Sequence, residues 1–208
     1  MMAFSAVTAV HRRIPKEAFY RHLTLTKVLK EKFITDVDKI FVENSLTKDN
    51  LNLTAESKIQ EILLLSLFLK KREFDTKIIE AIAKQNPHKL VFLLVYEDSG
   101  QLAVWHGKLY CTEWRRSADV ELEARGFSLD EIWDSFVEQI AVSEEHAKAV
   151  GELSIDERLA MQEQIIKLEK QIRKTEDAAW REQQPKKRFE LYQRLQDYKN
   201  QLEELISG

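Results

Sequence analysis

The chain is expected to be an α+β protein, with a mixed or antiparallel sheet covered by helices and a C-terminal antiparallel helical hairpin. Three observations point there. Leu90-Val-Phe-Leu-Leu-Val-Tyr96 and Leu102-Ala-Val-Trp-His106 are apolar runs rich in β-branched and aromatic residues, and they flank the polar turn formers Glu97-Asp-Ser-Gly-Gln101, as in a β-hairpin. The first run is apolar at every position, so both its faces should be covered, as in the middle of a sheet backed by helices. From about Leu153 onward, a narrow apolar seam runs through charged residues and breaks once, at a proline.

The elements follow in order. Pro15 suits the first turn of a short helix, where no backbone N–H partner is needed, and Phe19, Tyr20 and Leu23 mark one face of that helix. Leu25, Val28, Leu29, Phe33, Val37 and Ile40 have helical spacing and predict a second helix from about Thr26. Ile40 to Leu46 reads as a strand, and Thr47-Lys-Asp-Asn-Leu-Asn52 as a turn-rich loop. Ile59 to Leu69 is a long apolar strand, though Leu-rich enough that a helix competes. Asp75 suits the N-cap of a helix from Thr76 to Gln85 with Ile78, Ile79 and Ile82 inward, and Asn86-Pro87 stops it. Lys108 to Trp114 extends the central hairpin into a meander, and Arg115 to Gly126 reads as a polar loop. The sharpest helix signal is Leu129 to Ile140. Ser128 and Glu131 have capping-box spacing, Phe127 sits at a hydrophobic staple position, and Leu129, Ile132, Trp133, Phe136, Val137 and Ile140 repeat on one face. In the last segment, Met161, Ile165, Leu168 and Ile172, then Leu191, Leu195, Tyr198, Leu202 and Leu205, form the seam on either side of Pro185. Two such helices bury little alone. Residues 1–150 are therefore expected to form the α+β domain, and residues 151–208 an arm that packs on something else.

Composition narrows the function. The 208 residues carry a formal charge of −3, with 44% hydrophobic and 32% charged residues, so nothing drives the whole chain toward nucleic acid or acidic membranes. The single cysteine, Cys111, excludes an internal disulfide and argues against structural zinc. The apolar start Met1 to Val10 is not preceded by a basic residue and is followed by His11-Arg12-Arg13, so an export signal is rejected. No run reaches the ~20 residues needed to span a bilayer. The expectation is a cytoplasmic chain with no membrane association.

Chemistry-bearing patterns are sparse. His11, His22, His88, His106 and His146 include no i, i+4 ligand pair, so no metal site is assigned. Cys111 lacks an activating helix N-terminus, there is no phosphate-binding glycine loop, and no cofactor is expected. Glu56-Ser57-Lys58, with Glu43 on the preceding strand, is the one arrangement that fits a metal-dependent nuclease of restriction-endonuclease type, whose carboxylates hold Mg²⁺ while a lysine polarises water. Basic clusters lie at Arg12-Arg13, Lys70-Lys71-Arg72, Arg115-Arg116 and Lys186-Lys187-Arg188. If the fold joins two of them they can follow a phosphate backbone, and Lys70, Lys71, Arg72, Arg115 and Arg116 are the candidates for a weak nucleic-acid contact.

Several stretches, namely Ile14-Pro-Lys-Glu-Ala-Phe-Tyr20, Leu46-Thr-Lys-Asp-Asn-Leu-Asn52, Tyr110-Cys-Thr-Glu-Trp114, Gly126-Phe-Ser-Leu-Asp-Glu-Ile-Trp-Asp-Ser-Phe-Val-Glu-Gln-Ile140 and Arg188-Phe-Glu-Leu-Tyr-Gln-Arg-Leu195, resemble a bacterial family known as domain of unknown function 4391. Its members are often encoded beside Swi2/Snf2-type helicases and DNA methyltransferases of restriction or phage-defence type. The resemblance implies an accessory subunit and carries over no catalytic residue. The leading expectation is a non-catalytic adaptor that binds a helicase or methyltransferase through its arm, with Ile165, Leu168, Ile172, Leu191, Leu195, Tyr198, Leu202 and Leu205 as the partner-binding residues. An active or degenerate nuclease is the alternative from another class. Homodimerisation through a four-helix bundle is a third way to cover the seams.

Overall fold

A computed structural model describes residues 4–142 and 153–207, and the chain divides into two compact units, Met1–Ala141 and Val142–Gly208. Met1 to Ala3, His146 and the expected boundary at residue 150 lie outside the described residues, as does the side chain of Tyr20.

The first unit is built on a mixed sheet. Strands β1 (Ala9–Ile14), β2 (Val37–Thr47), β3 (Glu61–Leu69), β4 (Lys89–Tyr96), β5 (Ser99–His106) and β6 (Lys108–Cys111) lie side by side in that order, and the short β7 (Arg115–Arg116) pairs with the start of β5. Only β3 and β4 are parallel among these pairs. A parallel pair needs a crossover, which is supplied by helix α3 (Lys77–Gln85). The helical alternative for Ile59 to Leu69 fails because Glu61 to Leu69 of this segment form a central strand, paired with β2 on one side and β4 on the other. Leu65, Leu67 and Leu69 face one core, while Ile62 and Leu64 are buried on the other side.

Helices α1 (Lys16–His22), α2 (Lys27–Asp36) and α3 cover one face of the sheet. There Phe19, Phe33, Ile78, Ile79 and Ile82 join Ile40, Val42, Leu65, Leu67, Phe92, Leu94 and Ala103 in a single core. Pairing of Phe92 with Ala103, and of the neighbouring Val91 with Val104, sends the second pair to the opposite face. Helix α4 (Leu129–Ala141) lies on that face against β3, β5 and β6, and all six of its expected inward residues are buried.

Several expectations are corrected. Helix α2 ends at Asp36, so Val37 and Ile40 belong to β2 and not to the helix, and Val28 is exposed. Asp36 ends the helix at a buried polar clasp: its carboxylate accepts from Lys71 Nζ, Thr35 Oγ1 and the Asp75 N–H. Gly100 is not the hairpin turn. Tyr96 pairs with Ser99, so the loop is Glu97-Asp98, with Glu97 at φ +50°. Gly100 lies within β5, where a Cβ would stand 2.9 Å from Val120 Cγ2. It admits the 3-10 turn Ser117–Asp119 and the β7 pairing within what reads as a polar loop. The turn that needs glycine is at Gly107 (φ +71°), between β5 and β6. Strand β1 has no counterpart in the apolar pattern, because its residues are exposed at the sheet edge.

The cap of α4 also differs in detail. Ser128 Oγ accepts from Glu131 N–H at 3.2 Å, but the Glu131 carboxylate accepts from Phe127 N–H and not from Ser128 N–H. Phe127 is 82% exposed, so there is no staple.

The second unit contains helices α5 (Ile155–Arg181) and α6 (Pro185–Ser207), which pack on each other as an antiparallel hairpin. The capping box absent from α4 in full is complete at the start of α5, between Ser154 and Glu157.

Candidate functional site

The most unusual local geometry lies on the edge strand β1. The register of β1 against β2 slips between Ala9 and Arg12, and within that bulge His11 adopts φ +41°. A non-glycine residue in this region costs roughly 1–2 kcal/mol, and bulges re-aim side chains. Here the imidazole is turned across the sheet. It stacks on Phe41 with centroids 5.3 Å apart and an interplanar angle of 18°, and its Nδ1 lies 2.8 Å from Glu43 Oε2. The other carboxylate oxygen of Glu43 accepts from the hydroxyl of Ser66, a buried residue on β3. Glu43 is thus anchored from below and orients the ring above it, while the His11 side chain is 76% exposed.

The surroundings extend this arrangement. Phe41 meets Phe68 edge-on at 5.8 Å, and Lys39 Nζ lies 4.6 Å from the Phe68 ring centroid. Arg13 is opposite Phe41 in the register and is exposed. Beside it runs a groove of about 340 Å³ whose charged lining is Arg13, Lys16, Lys39, Glu17 and Asp38. Rings at the centre and cations at the rim suit a flat π-surface with negative charge attached.

The expected nuclease residues have other partners. Glu56 is almost fully exposed and pairs with Lys48, which holds its carboxyl below the usual range. Glu43 is engaged with His11 and Ser66. The intervening loop is a clasp for α4: Ser57 Oγ accepts from Leu129 N–H, and Asp130 accepts from the N–H groups of Lys58 and Ile59. Among the described residues, no three His, Cys, Asp or Glu side chains are grouped to hold a metal ion. Burial pushes the Cys111 thiol up to about 11, although the residue reaches the surface, so it is a thiol and not a thiolate at neutral pH.

The structure does bring two basic clusters together. The Arg72 guanidinium lies 5.5 Å from the Trp114 ring centroid, next to Arg115. Some of this charge is already used. Lys70 Nζ donates to Ile34 O, Lys71 pairs with Asp36, and Arg116 holds Asp119 through two hydrogen bonds. Lys70, Arg72 and Arg115 are the three cations of this set without an ion pair among the described residues, and of these Lys70 is held by the Ile34 carbonyl. The aromatic residues of the meander carry their own cations, with Lys84 over Trp105 and Lys108 over Tyr110.

In the hairpin, the eight expected partner-binding residues do not form an open face. Ile165 and Leu195 are buried, and Leu168, Ile172, Leu191, Tyr198, Leu202 and Leu205 are half-buried. The exposed large apolar residues are others: Ile166, Trp180, Phe189, Tyr192 and Ile206. Trp180 lies in the last turn of α5, and Phe189 and Tyr192 in the first turns of α6, so these three aromatics bracket the connection at residues 182–184 beside Lys186, Lys187 and Arg188. Sequence periodicity selects the seam because it repeats, whereas three aromatics at a turn have no period to detect. Among the described residues, no helix is long and apolar enough to cross a membrane.

No curated protein and no solved structure matches the chain. A family model, Domain of unknown function (DUF4391), matches residues 3–202, and the chain belongs to that family.

Proposed function

We propose that this protein is a non-catalytic adaptor of a bacterial DNA-acting system and docks on a helicase or methyltransferase partner through its helical hairpin. The observation that carries this reading is the exposure of Trp180 (77%), Phe189 (62%) and Tyr192 (44%) around one interhelical connection. Rigid aromatics at that density are what interfaces use as anchors, and clustered apolar exposure is uncommon on a surface that stays free. The seam residues support this role from inside, by joining the helices that present the tip. The flanking Lys186, Lys187 and Arg188 favour a partner pocket that is apolar at its centre and acidic at its rim.

The test is co-purification from the native host, using the tagged full chain and the triple variant Trp180→Ala/Phe189→Ala/Tyr192→Ala. The expected result is that the helicase or methyltransferase encoded beside the gene is recovered with the wild type and lost with the variant. Recovery with both proteins would refute docking through the tip. Light scattering on both addresses self-association: a wild-type dimer that becomes a monomer in the variant assigns the aromatics to a second copy and overturns the adaptor reading.

A further inference from the structure

We infer that the sheet face carrying His11, Phe41, Phe68, Lys39 and Arg13 binds single-stranded nucleic acid, stacking a base on the His11 imidazole and placing the backbone phosphate by Arg13 and Lys39. This is independent of the hairpin and of the adaptor reading.

A strained backbone at a surface residue persists only where the surroundings over-determine it. Here the ring is held on its inner face by Phe41 and at Nδ1 by Glu43, itself fixed by buried Ser66. The result is an imidazole whose inner face is packed and whose outer face is open, since the side chain is 76% exposed. A ring immobilised before binding loses little further freedom when something stacks on it. Nε2 has no partner among the described residues and remains a hydrogen-bonding position in the ring plane.

The occupant follows from the charges. Arg13 is exposed opposite Phe41 and makes no ion pair among the described residues. Lys39 stands over Phe68, and the adjoining groove has three cations against two carboxylates. A ring platform with cations at one side matches a base joined to a phosphate. It requires the base to be unpaired, because the π-faces of duplex bases are buried in their own stack. With a whole-chain charge of −3, long-range attraction is weak, so stacking supplies most of the affinity and few phosphates are neutralised.

The experiment is fluorescence anisotropy of a labelled oligo(dT) with the full-length protein, across a salt series, against a duplex of equal length. The expected result is preference for the single strand, with log K falling by about 0.7 per phosphate contacted for each tenfold rise in salt. Arg13→Ala removes one such contact from the slope. His11→Gly is the decisive variant. Glycine accepts φ +41° without strain, so the fold persists with a Tm near wild type, while loss of the ring weakens binding roughly 5- to 140-fold, the range for one stacked base. Wild-type affinity in His11→Gly, equal affinity for duplex, or no binding by the wild type would each overturn the inference.

Discussion

Trp133 offers the sharpest test of how the first unit is held together. Its side chain is 3% exposed on the inward face of α4, with Lys89 Nζ 5.0 Å from its ring centroid, and its Nε1–H is buried without a hydrogen-bond partner among the described residues. Two opposing quantities are therefore present in one residue. The ring contributes a large packing term, and Trp133→Ala should cost ~3–5 kcal/mol through lost transfer energy and a cavity. The unpaired N–H subtracts ~1–3 kcal/mol, the desolvation cost of a buried donor. Trp133→Phe removes that donor and keeps most of the ring, so its cost should be small, within ~1 kcal/mol of wild type. At roughly 2–4 °C per kcal/mol for a chain of this size, the alanine variant should melt ~6–20 °C below wild type and the phenylalanine variant within ~4 °C of it. Ser128→Ala, which removes only the Oγ acceptor for Glu131 N–H, calibrates the scale at ~1 kcal/mol. Circular dichroism melts of the three variants make the comparison. If Trp133→Phe falls as far as Trp133→Ala, the indole N–H has a partner and the reasoning is wrong. If both shifts are negligible, α4 is not the cover of this face.

Gly100→Ala would place a Cβ 2.9 Å from Val120 Cγ2. It should cost ~1–3 kcal/mol as overpacking, and less in a Val120→Ala background, where a denaturant double-mutant cycle should give a coupling of opposite sign to the single effects. Asp36 gives the acid limb of stability. Burial pushes its carboxyl up, but hydrogen bonds from Lys71, Thr35 and the Asp75 N–H outweigh that, and its pKa in the folded chain lies below the ordinary 3.8. A depressed carboxylate stabilises above its unfolded pKa and loses that contribution as pH falls through the folded value. Wild type should therefore lose stability below about pH 4 more steeply than Asp36→Asn, which should be ~1.5–3 kcal/mol weaker at neutral pH. Parallel pH profiles for the two would show that the clasp is not ionic.

Much of the central architecture is legible in local pattern, for a physical reason. Leu90, Val91, Phe92 and Leu94, Ile78–Ile79–Ile82 and the inward face of α4 are buried by their neighbours, and burial leaves an unbroken apolar run in a strand covered on both faces and a period of 3.6 in a helix, both of which survive in one dimension. The break at Pro185 is equally local, because a residue without a backbone N–H cannot continue a helix interior and suits the first turn of the next one. Only the tertiary structure decides the rest. Edge strand β1 has one neighbour and exposed residues, so no alternation marks it. Gly100 resembles a turn residue until Val120 is found above it. Glu56-Ser57-Lys58 has the spacing of a metal site, yet its loop closes on α4 from 72 residues away. His11, Glu43 and Ser66 are 32 and 23 positions apart; their meeting depends on strand order and on a bulge, which are outcomes of packing the whole sheet. Local propensity reports which residues leave water, whereas the register of distant strands determines which polar groups share a surface.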